Sequence, residues 1–132
     1  MADHPNLEML RRGMAAFAAR DRDALDELFD QNLVWHHGGT SELAGDYFGT
    51  EEVFTLFARR AALTDETYRV VVESAVANDV FITVLSRAHA RIGARSYDDA
   101  LCSVYRVIDG KLIEAWTLPA HPDVEERFYS GK

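Results

Sequence analysis

The chain has 132 residues, of which 48% are hydrophobic and 27% charged, and its formal net charge is -8. This composition is typical of a soluble globular protein, and the length suits a single domain over residues 1–132. The negative charge argues against a nucleic-acid partner, because nucleic-acid phosphates would be repelled. No stretch reads as a signal peptide or membrane span, and the single cysteine, Cys102, allows no internal disulfide. We therefore expect a cytoplasmic protein with no membrane partner.

The first half of the chain carries three patterns typical of amphipathic helices. The segment HPNLEMLRRGMAAFAARD repeats apolar residues every three or four positions, which predicts a first helix. DRDALDELFD predicts a short second helix, capped by Asp21 or Asp23. GTEEVFTLFARRAAL predicts a third helix, with Thr50 as its N-cap and Phe57 facing inward. Between the last two, NLVWHH alternates as a short strand.

The second half is rich in β-branched and aromatic residues. We expect four long strands from the segments TYRVVVESAVA, VFITVLSRAHARI, YDDALCSVYRVI and KLIEAWTLPA. Asp109-Gly110 is a strong hairpin signal between the last two, and after Pro119 and Pro122 a short tail can still pack. Helices followed by strands predict an α+β fold: three N-terminal helices on one face of a curved antiparallel sheet, enclosing a cavity.

The strand YDDALCSVYRVI has apolar and polar residues on both of its faces. One face carries Tyr97, Asp99, Leu101, Ser103, Tyr105 and Val107. The other carries Asp98, Ala100, Cys102, Val104 and Arg106. Because neither face is purely polar, we expect a second subunit to cover the side that the helices leave open. The sequence therefore predicts a homodimer formed through the sheet.

Three segments resemble the nuclear transport factor 2-like superfamily, most closely its SnoaL-like and ketosteroid-isomerase-related small proteins. They are ALDELFDQNLVWHHGG, LAGDYFGTEEVFTLF and VYRVIDGKLIEAWTL. The resemblance implies a cone-shaped, cystatin-like α+β barrel with a deep apolar pocket. Members of the superfamily include isomerases, polyketide cyclases, epoxide hydrolases, dehydratases and non-catalytic binding domains, so the resemblance does not choose an activity.

The resemblance also assigns candidate site residues. His37, two residues beyond Trp35, falls at the position of the general base in steroid isomerases. If the alignment with that family is shifted by one residue, His36 takes this position instead. Ser103 falls near the donor aspartate of those enzymes, and Thr117 near the acidic residue of SnoaL-like cyclases. The donor tyrosine has no counterpart in residues 15–17. The steroid isomerase reaction itself is therefore not predicted, although an imidazole is a competent base near neutral pH.

The residues themselves allow a polar cluster of His37, His89, Asp99 and Ser103. Arg87 and His89 share one face of their strand, and if that face looks inward, a His89–Asp99 pair would orient or activate the imidazole. The alternative is that these side chains lie at the strand mouth or dimer interface and serve solubility. A metal site from His37, His89 and Asp99 is a further alternative, but no metal motif is present, so we predict none.

His36 and His37 must lie on opposite faces of the sheet, because neighbouring strand residues point to opposite sides. At most one of the two imidazoles therefore faces the pocket. Tyr47 either reaches the pocket entrance or only packs its turn. The complete set of predicted pocket residues is Trp35, His36, Tyr47, Phe57, Arg87, Leu101, Ser103 and Thr117.

The sequence predicts a small hydrophobic or polyketide-like ligand and no organic cofactor. If the protein is an enzyme, we expect isomerisation, cyclisation or dehydration, with His37 as general base and Asp99 or His89 assisting. The alternative is a non-catalytic ligand-binding or dimerisation module of the same fold.

Overall fold

The computed structural model describes residues 4–132 and has the predicted order of helices and strands, with two additional elements. The helices are α1 (Pro5–Ala18), α2 (Arg22–Leu28), α3 (Gly49–Leu63) and α4 (Pro122–Ser130). The strands are β1 (Phe29–His37), β2 (Gly45–Phe48), β3 (Arg69–Ala77), β4 (Phe81–Ile92), β5 (Arg95–Ile108) and β6 (Lys111–Pro119). Within the described residues, no helix is long and apolar enough to span a membrane.

The six strands form one mixed sheet in the order β2-β1-β6-β5-β4-β3. The predicted antiparallel meander from β3 to β6 is present, and Asp109 and Gly110 make its last turn with φ of 51° and 74°. The sheet is antiparallel except at one pairing, where β1 lies parallel to β6. A parallel neighbour needs a long crossover, and here α3 and the meander supply it. The short strand β2, expected to be a turn, pairs antiparallel with β1.

The starts of α2 and α3 show how the sequence sets helix boundaries. Asp21 caps α2 as predicted, by accepting a hydrogen bond of 3.1 Å from the Ala24 amide. The prediction that Thr50 caps α3 is wrong. Gly49 has a φ of 82°, so the chain turns out of β2 one residue earlier and α3 begins at Gly49. Glu52 then satisfies the exposed Phe48 amide at 2.9 Å.

The core lies between the first three helices and the inner face of the sheet. Its large fully buried apolar side chains include Leu33, Leu43, Val53, Leu56 and Ile82. On the outer face, Leu85, Cys102 and Leu118 lie beside one another on three neighbouring strands, and the two leucines are exposed. The structure describes one chain, so the homodimer stays a prediction.

The C-terminal tail forms α4, which the sequence analysis did not predict as a helix. Asp99 anchors its start by accepting hydrogen bonds from the amide and Nδ1 of His121, at 2.9 and 2.8 Å. Burial opposes ionisation of Asp99, but hydrogen bonds from His121 and Ala100 outweigh it and lower the pKa of the carboxyl. Farther along, the Phe128 ring stacks on Tyr97 with centroids 5.3 Å apart. These contacts hold α4 against β5.

Candidate functional site

A largely apolar inner cavity of about 100 Å³ separates the first three helices from the sheet. Its apolar wall includes Phe29, Trp35, Phe57 and Leu101. A few polar side chains interrupt this wall, namely His37, Arg60, Tyr68, Ser86, Ser103, Tyr105 and Thr117. A mostly apolar cleft with a small number of polar groups is the usual form of a small-molecule site.

A second, outer cavity of about 430 Å³ adjoins the first. It lies among α1, α2, α3 and the start of β3, and its size falls within the range of about 300–1,000 Å³ typical of ligand pockets. Phe17, Phe57, Arg60 and Tyr68 are among the residues that line both cavities. We therefore regard these side chains as the boundary between an outer mouth and an inner chamber.

The inner chamber contains a buried histidine held on both sides. His37 is the last residue of β1, on the same face as Leu33 and Trp35. Its Nδ1 lies 2.7 Å from the Thr117 hydroxyl, and its Nε2 lies 3.1 Å from a carboxylate oxygen of Glu125. The side chains of His37 and Glu125 are only 4% and 6% exposed, so this contact is shielded from solvent.

The environment of Glu125 fixes the direction of these hydrogen bonds. Ser41 donates its hydroxyl to Glu125 at 2.7 Å, and the Tyr97 hydroxyl is directed to the same carboxylate at 3.5 Å. The two hydroxyls donate to an ionised Glu125, and the same carboxylate then accepts a hydrogen bond from Nε2 of His37. In a neutral imidazole Nδ1 is then the acceptor of the Thr117 hydroxyl, which gives a Thr117–His37–Glu125 chain.

Two tyrosines add hydrogen-bond donors to the chamber. Burial raises the pKa of both Tyr68 and Tyr105 above the usual range for a phenol, so their hydroxyls stay protonated. Ser103 lies within hydrogen-bonding reach of Tyr105. The sequence analysis sought a donor tyrosine only on the first helix, whereas these come from the start of β3 and from β5.

The structure places six of the predicted residues in the wall of the inner cavity. They are Trp35, His37, Phe57, Leu101, Ser103 and Thr117. Their role in binding or catalysis stays a prediction.

The prediction that His36 is a pocket residue is wrong. Its side chain leaves the opposite face of β1, where it stacks on Trp116 with centroids 5.5 Å apart. Its two ring nitrogens each lie 2.7 Å from a carboxylate, of Asp46 on one side and Glu114 on the other. These hydrogen bonds, the one to Asp46 foremost, raise the pKa of His36. The neighbouring histidines thus occupy different environments.

The predicted His89–Asp99 pair is also wrong. On β4 it is Ser86 and Ala88 that face inward, so Arg87 and His89 lie on the outer face and both contact Asp98. Neither lines the cavity. Asp99 does face inward, but beside Ala88 in the register, and it binds His121 outside the cavity.

The same geometry places Tyr47 and the three residues of the metal alternative. Tyr47 lies outside both cavities and donates its hydroxyl to the Leu43 carbonyl at 2.6 Å, so it packs its turn and the prediction of a pocket role is wrong. The metal alternative required His37, His89 and Asp99 together, but each has a separate partner. Residues 4–132 contain no cluster of three or more side chains suited to hold a metal ion.

The sequence analysis missed Glu125 and Arg60, although each carried a signal. Glu125, Phe128 and Tyr129 are spaced three and four residues apart, and Pro122 suits a first helical turn, which together indicate one face of a helix. Similarly, Arg60 follows Val53, Leu56 and Phe57 on the inward stripe of α3. A charged residue on an apolar stripe indicates either a surface boundary or a functional site.

Comparison with known proteins agrees with this architecture. The sequence profile of the SnoaL-like domain matches residues 10–115. The chain belongs to the SnoaL-like family. This SnoaL-like protein thus has the nuclear transport factor 2-like fold that its sequence predicts.

Three other proteins are similar to this SnoaL-like protein over nearly its whole length. Bal32a, from a soil-derived mobile gene cassette, is 32% identical with a TM-score of 0.89, covering 94% of this chain and 95% of that one. Rv0034, an uncharacterized protein of Mycobacterium tuberculosis, is 27% identical over 98% of this chain and 100% of its own. IdmH, a putative polyketide cyclase from Streptomyces antibioticus, shares the fold at 20% identity and a TM-score of 0.76, covering 98% and 100%.

Proposed function

We propose that this SnoaL-like protein binds a small hydrophobic or polyketide-like molecule in the inner cavity and catalyses proton transfer on it. Isomerisation, cyclisation or dehydration would all use such a step. The observation that carries the proposal is His37, a buried imidazole in an apolar chamber, oriented by the carboxylate of Glu125. The putative cyclase IdmH, which shares the fold, supports the same class of chemistry. The reaction requires no organic cofactor.

In the proposed mechanism, Nδ1 of His37 is the general base. The Thr117 hydroxyl occupies Nδ1 in the ligand-free protein, and an acidic C–H or O–H group of the ligand takes its place. When Nδ1 accepts the proton, the imidazolium is stabilised by the Glu125 carboxylate at Nε2. The hydroxyls of Ser103, Tyr68 and Tyr105 supply donors for a developing enolate oxygen.

A non-catalytic ligand-binding protein is the second candidate. It is favoured by the fact that both nitrogens of His37 already have protein partners, so the residue satisfies its own hydrogen bonds without a ligand. In this case the cavity would bind its ligand, and His37 would contribute only to structure.

A generic proton-transfer probe distinguishes the two candidates. 5-Nitrobenzisoxazole is a small apolar molecule. When a base removes its carbon-bound proton, the C–H electron pair forms the third carbon–nitrogen bond of a nitrile, the N–O bond breaks, and the ring opens to a coloured cyanophenolate. We expect the protein to accelerate this reaction at least tenfold over free imidazole at equal concentration, because a base in a water-excluding cavity is more effective than one in water. Absorbance of the phenolate gives the rate.

A cavity-filling variant shows where the reaction takes place. Ser103→Leu adds volume to the inner chamber and is expected to abolish the acceleration, whereas Cys102→Leu, on the opposite face of the same strand, leaves it intact. Equal rates in the two variants, or no acceleration by the wild-type protein, would contradict catalysis in this cavity.

A further inference from the structure

Arg60 is a buried cation without an anionic partner. Arg60 is only 7% exposed. Within residues 4–132, its guanidinium forms no ion pair or hydrogen bond. Three aromatic rings surround it, with Tyr68 at 4.1 Å, Phe57 at 5.6 Å and Phe17 at 5.9 Å from ring centroid to guanidinium carbon. Ring faces attract the cation but offer no oxygen to its N–H groups. Because Arg60 lines both cavities and none of its nitrogens is fully buried, a ligand in the cavities can reach the guanidinium.

The indole of Trp35 presents a second donor without an acceptor. Trp35 lines the inner cavity, and its Nε1 is fully buried with no hydrogen-bond partner among the described residues. Buried polar atoms of this kind are rare in proteins. Arg60 and Trp35 both line the inner cavity, and both lack an acceptor rather than a donor. A ligand that pairs with Arg60 in the cavity must therefore bring acceptor oxygens.

The outer cavity has an excess of positive charge, in a chain whose formal net charge is -8. Its lining includes Arg20, Arg22, Arg60 and Arg69, but only one acidic residue, Glu66. Arg20 pairs with Glu66, and Arg22 pairs with a glutamate outside the lining. Arg69 donates to the backbone carbonyls of Glu66 and Tyr68, and no carboxylate among residues 4–132 pairs with it. Such a mouth attracts anions toward the inner chamber.

We propose that Arg60 binds a carboxylate of the ligand at the junction of the two cavities, so that the ligand class is a small hydrophobic carboxylic acid. This inference rests on the proposed function, because it specifies the molecule that the cavity accepts. The planar fork of the guanidinium suits two-point binding of a carboxylate, while the apolar wall takes the hydrocarbon part. Arg60 thereby orients the ligand along the path from the mouth to the inner chamber.

The test compares two molecules of nearly the same shape, the anionic naphthalene-2-carboxylate and the neutral naphthalene-2-carboxamide. Isothermal titration calorimetry at neutral pH measures both affinities. We expect the wild-type protein to bind the acid at least tenfold more tightly than the amide. Arg60→Met keeps an unbranched apolar stem but removes the guanidinium, and is expected to bring the two affinities within a factor of two. Arg59→Met removes the exposed neighbour, which pairs with Glu42, and keeps the wild-type preference.

A wild-type measurement makes the test independent of how the variants fold. Nuclear magnetic resonance of the Arg60 Nε–H group is expected to show a shift on adding the acid and none on adding the amide. Equal affinities for the two molecules, or an undiminished preference in Arg60→Met, would overturn this inference and leave cavity binding intact. Failure of both molecules to bind would overturn the proposed function as well.

Discussion

Replacing His37 with Gln is expected to lower kcat/KM for 5-nitrobenzisoxazole about 100-fold, while KM changes less than threefold. The amide keeps the approximate size of the imidazole but cannot accept a proton at neutral pH, and a positioned general base contributes about 10²–10⁴-fold to a rate. Initial rates of phenolate formation over a range of probe concentrations give both parameters.

The adjacent histidine provides the control for this experiment. His36 differs from His37 by one position and faces away from the cavity, so His36→Gln is expected to keep the wild-type rate. Thr117→Val removes the hydroxyl that occupies Nδ1 and is expected to keep or increase the rate. Equal losses in the two histidine variants would show that His37 is not the base, and a large loss in Thr117→Val would show that its hydroxyl does not yield Nδ1 to the ligand.

Replacing Glu125 with Ala is expected to lower the free energy of unfolding by about 3 kcal/mol. The carboxylate is buried and accepts hydrogen bonds from Ser41 and His37, while the Tyr97 hydroxyl is also directed to it. Removing it leaves these donors without an acceptor and opens a void between α4 and the sheet. Urea unfolding followed by circular dichroism measures the change.

The neighbouring glutamate is a matched control for helix propensity and net charge. Glu126 is exposed and contacts Thr40, so Glu126→Ala is expected to change the free energy of unfolding by less than about 0.5 kcal/mol. If the two alanine variants unfold at the same urea concentration, the network around Glu125 does not stabilise the fold as described.

The order of the elements was predictable because the signals are local. Periodic apolar residues gave α1 and the strands β3 to β6, and Asp109-Gly110 gave the last turn of the meander. The parallel pairing of β1 with β6 was not predictable in this way, since it joins strands that are distant in sequence. The helical spacing in the tail was visible, but its few residues gave too little periodicity to decide against a loop.

The candidate site was predictable only in part. Strand geometry explains which residues were placed correctly and which were not. His37 and Thr117 were found because the resemblance gave their register, and they meet at 2.7 Å. The predicted pair of His89 and Asp99 does not form, because which face of β4 looks inward depends on packing, and because His121 binds Asp99. Glu125 reaches His37 from a helix 88 positions away, a contact that no local pattern encodes.

The protonation of His37 is the most direct test of the central claim that this residue is an available base in the cavity. Nitrogen-15 magnetic resonance of labelled histidines at neutral pH assigns the hydrogen to Nδ1 or Nε2. We predict hydrogen on Nε2, and a shift of the Nδ1 resonance when benzotriazole, whose N–H can donate to Nδ1, binds in the cavity. A hydrogen fixed on Nδ1, or an Nδ1 resonance unchanged by bound benzotriazole, would contradict the claim.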